Sequence, residues 1–332
     1  MKRFMITIFA LLLAVSLAGC SFDSLGDYKK AAEKTEQIKK GQMSGEFTLV
    51  TDFNTDGMTE DEIKEMNYFK NMKGSFSAVY DDDAGKGIFR NYLNFGGLGF
   101  DFDLFMNEKE VFMKLPVLGK YMRLDEMQAP MIKEQGTGEP ELISRETQDE
   151  LNAKWLGLLT KEDVFEGKDI VLTTPDGEVK TKEYTIKLND EQIKSLAADS
   201  LDIVSKDEKL KENYEKYIKK NVEPLKDTSF EKLVLDIEEN IKDYIVESFN
   251  YTAYVDIDGY IVNEVVEFAM KVEGAGAASM KGFNYKLELK NWDINKEQEF
   301  DFPVLTEENT VNMDQMDQNM PFMMEDLFNN KD

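Results

Sequence analysis

The chain has 332 residues, with 66 Asp and Glu against 40 Lys and Arg, a formal charge of −26, a single cysteine and no histidine. These counts exclude internal disulfides, Cys–His zinc sites, Ser–His–Asp triads and histidine acid–base chemistry, and so acidic a surface excludes nucleic acid as a partner. Any catalysis would rest on carboxylates, Lys, Tyr or Ser, and no nucleophile can be named together with an orienting base, so neither enzymatic activity nor a cofactor is expected.

Met1-Lys2-Arg3 is a short basic start, and Phe4 to Val15 is an apolar run shorter than the ~20 residues of a membrane span. Residues 1–19 therefore read as a secretory signal. The tetrad that closes it, Leu17-Ala18-Gly19-Cys20, resembles the lipobox of bacterial lipoproteins. That resemblance implies cleavage before Cys20 and lipidation of its thiol; the competing reading is an ordinary cleaved signal with a chance cysteine. Acyl chains contribute roughly 0.8 kcal/mol per buried methylene, enough in pairs for a durable anchor. The expected location is the extracytoplasmic face of a cell membrane, in a Gram-positive cell by preference. An anionic bilayer or polyanionic wall would repel the acidic body, which is expected to stand away from the bilayer while the lipid holds it.

Residues 20–27 read as a lipidated tether, and Tyr28 to Lys40 as a charged helix ending at Gly41. Phe47, Leu49, Thr51 and Phe53 alternate with polar neighbours, the period of a strand with one drier face. Further strands are predicted at Met72–Tyr80, Gly87–Phe95, Leu98–Met106, Glu110–Leu115 and Lys120–Leu124, separated by Gly, Asp, Asn or Pro. Glu146 to Thr160 turns helical, and Pro175-Asp176-Gly177 leads into a strand with Tyr184, Ile186 and Leu188 on one face. Two helices follow, with capping boxes at Asn189–Gln192 and Thr228–Glu231. Phe249 to Ile257 alternates into Asp258-Gly259, a type I′ hairpin signal, and returns through Val262 to Val272. A last strand carries Phe283, Tyr285, Leu287 and Leu289. Sheet, helices, sheet is the order, which predicts an α+β fold: a large open antiparallel β-sheet, or half-barrel, packed over helices on one face, as one domain over residues 28–311.

Three stretches carry a family likeness: Asn91 to Phe105, Val111 to Pro116 and Tyr254 to Ile261, the last being the strand-turn-strand of the final meander. With the lipobox and the element order, they resemble the LolA, LolB and LppX group of envelope lipoproteins and carriers. The resemblance implies an open half-barrel with a cavity that binds acyl chains or other apolar molecules. It also implies the leading function, a membrane-anchored lipoprotein that binds or carries a lipid-like ligand. The competing class is a non-catalytic structural or interaction lipoprotein of the envelope with no ligand and an unidentified protein partner.

Phe100, Phe102, Leu104 and Met106 alternate with Asp101 and Asp103, and are the candidate ligand-binding residues, with plain core packing as the other reading. Eighteen Met residues suit either a wall that adapts to flexible apolar ligands or an irregular core. Asp52, Asn54 and Asp56 before Gly57 match the first half of a calcium loop, with Glu60, Asp61 and Glu62 nearby. The second half fails, because the twelfth position is Ile63 instead of a bidentate glutamate. Ser229-x-x-Lys232 matches an acyl-enzyme motif, but Ser229 sits in a helix-capping box. The acidic tail, residues 312–332, spaces Met313, Met316, Met320, Met323 and Leu327 as a helical stripe interrupted by Pro321. It admits a soft cuprous site, amphipathic packing, or a plug in the domain's own cavity.

Overall fold

Alternating apolar residues, punctuated by turn residues, fold into one sheet of twelve strands. They are β1 (Lys40–Phe53), β2 (Asn71–Asp81), β3 (Lys86–Phe95), β4 (Leu98–Asn107), β5 (Glu110–Leu115), β6 (Lys120–Arg123), β7 (Val164–Thr174), β8 (Gly177–Lys187), β9 (Tyr244–Asp256), β10 (Ile261–Val272), β11 (Met280–Trp292) and β12 (Thr310–Val311). The computed structural model describes residues 23–108, 110–115, 119–124, 143–219, 225–274 and 280–311. The signal segment, Cys20 and the Met-rich tail lie outside the described residues.

The strand order is β12-β6-β5-β4-β3-β2-β1-β11-β10-β9-β8-β7. Every pair is antiparallel except β12 on β6, and the sheet does not close on itself. β1 holds the centre, joining an N-terminal meander on one side to a C-terminal one on the other. The predicted α+β open sheet is the observed fold.

Among the described residues six α-helices accompany it: α1 (Ser24–Glu36), α2 (Glu60–Lys70), α3 (Arg145–Leu158), α4 (Asp190–Ser205), α5 (Glu208–Asn213) and α6 (Phe230–Asn240). α1 begins four residues before the predicted Tyr28, and its last turn gives way to a strand that already includes Gly41. α2 escaped the pattern reading, although Thr59 and Glu62 form a capping box at its start. The box at Asn189 and Gln192 forms as predicted. The one before α6 shifts by a residue: the Ser229 hydroxyl accepts from the Lys232 amide, which is the cap that the Ser-x-x-Lys spacing encodes.

β7 was likewise not foreseen, because a register shift between Glu166 and Asp169 breaks its alternation. The β9–β10 connection also corrects the type I′ expectation. Gly259, at φ +84°, is the only residue of that loop in the left-handed region, and the Asp256 and Tyr260 backbones close a three-residue loop. A type I turn followed by a left-handed glycine gives this geometry.

One row of cross-strand partners runs Val164–Ile186–Tyr251–Val266–Leu287–Phe47–Gly74–Leu93–Phe100, apolar at every position. Partners in a row share a face, so these nine residues define one apolar face of the sheet. Under β7 to β10 that face is sealed by α1 and α3. Tyr28, Ala31, Leu159, Val164, Tyr184, Ile186, Tyr251, Ala253, Val255 and Ile261 are buried there, with Trp155 and Ile193 packed against them.

A second, smaller core lies on the opposite face. Ile88, Phe105 and Phe112 are buried beneath Phe300, Phe302 and Leu305, from the segment that follows β11. Phe105 stacks on Phe112 at 5.0 Å.

Candidate apolar site

The row two residues along reads Tyr184–Ala253–Glu264–Leu289–Gly45–Phe76–Asn91–Phe102 and extends the same face. Beyond the helix-covered part, its residues are half-buried: Phe47, Leu49, Phe76, Leu93, Phe102, Leu104, Phe283, Tyr285, Leu287 and Leu289 all fall in this class. An apolar sheet face is buried as a matter of course in a closed core. Here it stays partly accessible over several strands.

Two glycine–phenylalanine pairs shape the wall. Phe47 stands opposite Gly74, and Phe76 opposite Gly45. A Cβ on Gly45 would come within 2.2 Å of the Phe76 ring, and one on Gly74 within 2.3 Å of the Phe47 ring. Each ring thus lies over the glycine of its partner strand, a packing no larger residue permits without moving the ring. Aromatic contacts also connect the wall to the sealed core. Trp155 meets Tyr251 and Phe249, Phe249 meets Phe268, and Phe268 meets Phe283, with ring separations between 5.7 and 6.3 Å.

Glu264 is the one carboxyl in the middle of this face. Its row partners are Ala253 and Leu289, so it stands where the sealed part meets the open part. The Tyr251 hydroxyl donates to its carboxylate, and the Trp155 indole N–H donates to the Tyr28 hydroxyl at 3.0 Å. Burial pushes the Glu264 carboxyl above its ordinary value, against the opposing effect of the Tyr251 hydrogen bond. Burial also pushes the Tyr28 phenol up to about 12, and that of Tyr251 well above its ordinary value. The arrangement supplies a polar contact inside an apolar wall.

The predicted ligand-binding residues share this face and grade along β4. Met106 is buried, Leu104 and Phe102 are half-buried, and Phe100 is exposed at the strand's outer end. The face was legible from alternation. The larger share of the wall, contributed by β1, β2, β10 and β11, was legible only as separate strands and not as one surface.

The acidic stretch does not assemble into a cation site. Asp52 and Asp56 are exposed, the Asn54 side-chain carbonyl accepts from the Asp56 amide, and Glu62 is engaged by Thr59 in the α2 cap. Among the described residues, no group of three His, Cys, Asp or Glu is arranged to hold a metal. Nor is any helix among them long and apolar enough to cross a membrane.

No family model matches the chain, and no curated protein does. Among solved structures it is similar to a DUF1329 family protein from Desulfovibrio piger, at 7% identity over 82% of this chain and 94% of that one, with a TM-score of 0.20. It is also similar to a beta-barrel-like protein of the domain of unknown function DUF1849 from Brucella abortus, at 11% identity over 77% of this chain and 100% of that one, with a TM-score of 0.18. Likenesses at this level carry no argument about function.

Proposed function

We propose that this chain is an extracytoplasmic lipoprotein, anchored through Cys20, that binds or carries a lipid-like ligand against the open apolar face of its sheet. One observation carries the reading: the apolar rows continue beyond the helix-covered core into a wall of half-buried aromatic, leucine and methionine side chains. Binding on such a wall works by shape and desolvation and needs no covalent chemistry. The carboxyl of Glu264, held by the Tyr251 hydroxyl where the sealed part meets the open part, would orient a polar group of the ligand. The lipobox and the resemblance to the LolA, LolB and LppX group support the same reading.

The test is native mass spectrometry of the chain from Ser21, purified without detergent, followed by organic extraction. A bound lipid near one-to-one supports a carrier. A bare protein mass that also resists loading with N-phenyl-1-naphthylamine and phospholipid overturns it.

The competing reading, an interaction lipoprotein without ligand, is favoured by a different feature. α3 and α4 leave a groove of about 530 Å³ lined by Leu158, Leu196 and Ile203, and the Lys154–Asp199 ion pair at 2.9 Å spans it. Loss of partner capture on Leu196→Asp, with ligand loading unchanged, would support that alternative.

A further inference from the structure

Exposed apolar residues gather at one end of the strands. Tyr68 and Phe69, at the C-terminal end of α2, are 48% and 45% exposed; Leu98 and Phe100, at the start of β4, are 42% and 44% exposed. The rings are linked, Phe69 to Phe95 at 6.3 Å and Phe95 to Phe100 at 6.2 Å. Gly96 and Gly97, both at positive φ, turn β3 tightly into β4 and bring Phe95 beside Leu98. Leu235 and Ile237 of α6 are exposed too, and α6 leads into Tyr244, the first residue of β9, at this same end.

Beside the rings stand Lys70, Lys73, Glu65 and Asp101, two of each sign, while Glu60, Asp61 and Glu62 lie at the other end of α2 and Asp236, Glu238 and Glu239 flank Leu235 and Ile237. Contiguous exposed aromatics mark an interaction surface, and Tyr and Phe suit the boundary between headgroups and acyl chains.

The position of α1 says what that surface meets. Its C-terminal end lies at the opposite end of the strands: Lys34 donates to the Asp258 carbonyl and sits over the Tyr260 ring, and the Thr35 hydroxyl accepts from the Ile261 amide. Its N-terminal end is fixed by the Asp23–Lys161 ion pair at 3.4 Å, three residues before β7 begins at Val164. Val164 and Phe100 are the two ends of one cross-strand row. Cys20 precedes Asp23 by three residues, which span at most ~11 Å however they are arranged. In the topology of the sheet, Cys20 therefore attaches at the strand end that also carries Tyr68, Phe69, Leu98 and Phe100, eight strands along the row.

We infer that this rim is a bilayer-docking surface, with Phe69 and Phe100 entering the acyl–headgroup boundary so that the open apolar face begins at the membrane. The inference rests on the lipoprotein reading and deepens it, since Phe95 and Leu93 continue the rim onto the apolar wall and give a lipid a dry path off the bilayer.

The test couples the chain from Cys20, through its thiol, to a maleimide lipid in phosphatidylcholine vesicles containing brominated acyl chains. Phe100→Trp reports the rim, and Ile257→Trp, at an 86%-exposed position in the β9–β10 loop, reports the far end. Quenching beyond that of Trp155 and Trp292 in the parent is expected to be at least twofold larger at position 100 than at 257; equal quenching overturns the proposal. Phe69→Glu combined with Phe100→Glu should weaken binding of the uncoupled chain to phosphatidylcholine vesicles about tenfold at an unchanged melting temperature, and unchanged binding also overturns it. Because the anchor is supplied chemically, these readouts do not depend on acylation in cells. The mass of Cys20 from bacterial membranes tests that separately: an acylated Cys20 with an unquenched rim sinks the docking surface alone, whereas a quenched rim supports it whatever that mass shows.

Discussion

The apolar face of this sheet exists in two conditions. Under α1 and α3, Tyr28, Ile186 and Ala253 are sealed to 1% exposure or less, while the same rows continued into β11, β1, β2 and β3 leave Leu287, Phe47, Phe76 and Leu93 half-buried. Strand chemistry barely differs between the halves; what differs is that α1 and α3 lie across one of them, whereas α2 meets the other at its rim, through Phe69 and Phe95. Sealed rows hold the fold together, and open rows keep an apolar surface available at a cost in stability.

The largest expected effect falls on the sealed half. Ile186→Ala should cost about 2–5 kcal/mol in chemical unfolding, since it leaves a cavity where the surroundings cannot collapse. A cost as low as that of an open-face truncation would mean that the two halves are not distinct. Gly74→Ala on the open half should cost about 1–3 kcal/mol by driving the Phe47 ring off its glycine, and should change dye uptake as the wall is reshaped. Phe102→Ala should cost less than about 2 kcal/mol, because a half-buried ring recovers solvent contact, yet should lower uptake of N-phenyl-1-naphthylamine severalfold.

The smallest effect is at the boundary. The Glu264 carboxyl is raised in the fold, so the native state binds the proton more tightly than the unfolded chain. Its contribution is favourable at acid pH and is lost as pH rises from its ordinary value of 4.5 through the raised one. Glu264→Gln should therefore flatten that part of the melting-temperature profile and leave stability at neutral pH equal or higher. A steeper decline with pH in the variant would show that Glu264 is stabilised as an anion instead. Asp190 runs the other way: the Lys194 ammonium and the Val246 amide hold its carboxyl low, so its contribution is present above its ordinary value and lost on acidification. Asp190→Asn should abolish that loss.

Legibility followed the physics of each region. The first meander was read almost to the residue, because each strand has one dry face and ends at a Gly, Asp or Asn turn. The buried face on the far side of β3, β4 and β5 was missed, although Leu104-Phe105-Met106 and Val111-Phe112-Met113 are the unbroken apolar runs expected of strands covered on both faces. Their cover, Phe300 to Leu305, has no secondary-structure period and so leaves no local signal. The Tyr251–Glu264 contact joins residues on neighbouring strands, and nothing around either one marks the pair.

By itself the sequence determined the periodic strands of the first meander, the longer amphipathic helices with the Asn189 cap, the absence of histidine and disulfide chemistry, and the α+β class. These depend on each residue and its near neighbours along the chain. Only the tertiary structure decided that β1 and β11 pair to fuse two meanders into one sheet, that the helices seal one half of the apolar face and leave the other open, and that the start of α1 shares an end of the strands with the aromatic rim. Those outcomes depend on pairing between residues as far apart in the chain as Phe47 and Leu287, and no local pattern encodes such a choice.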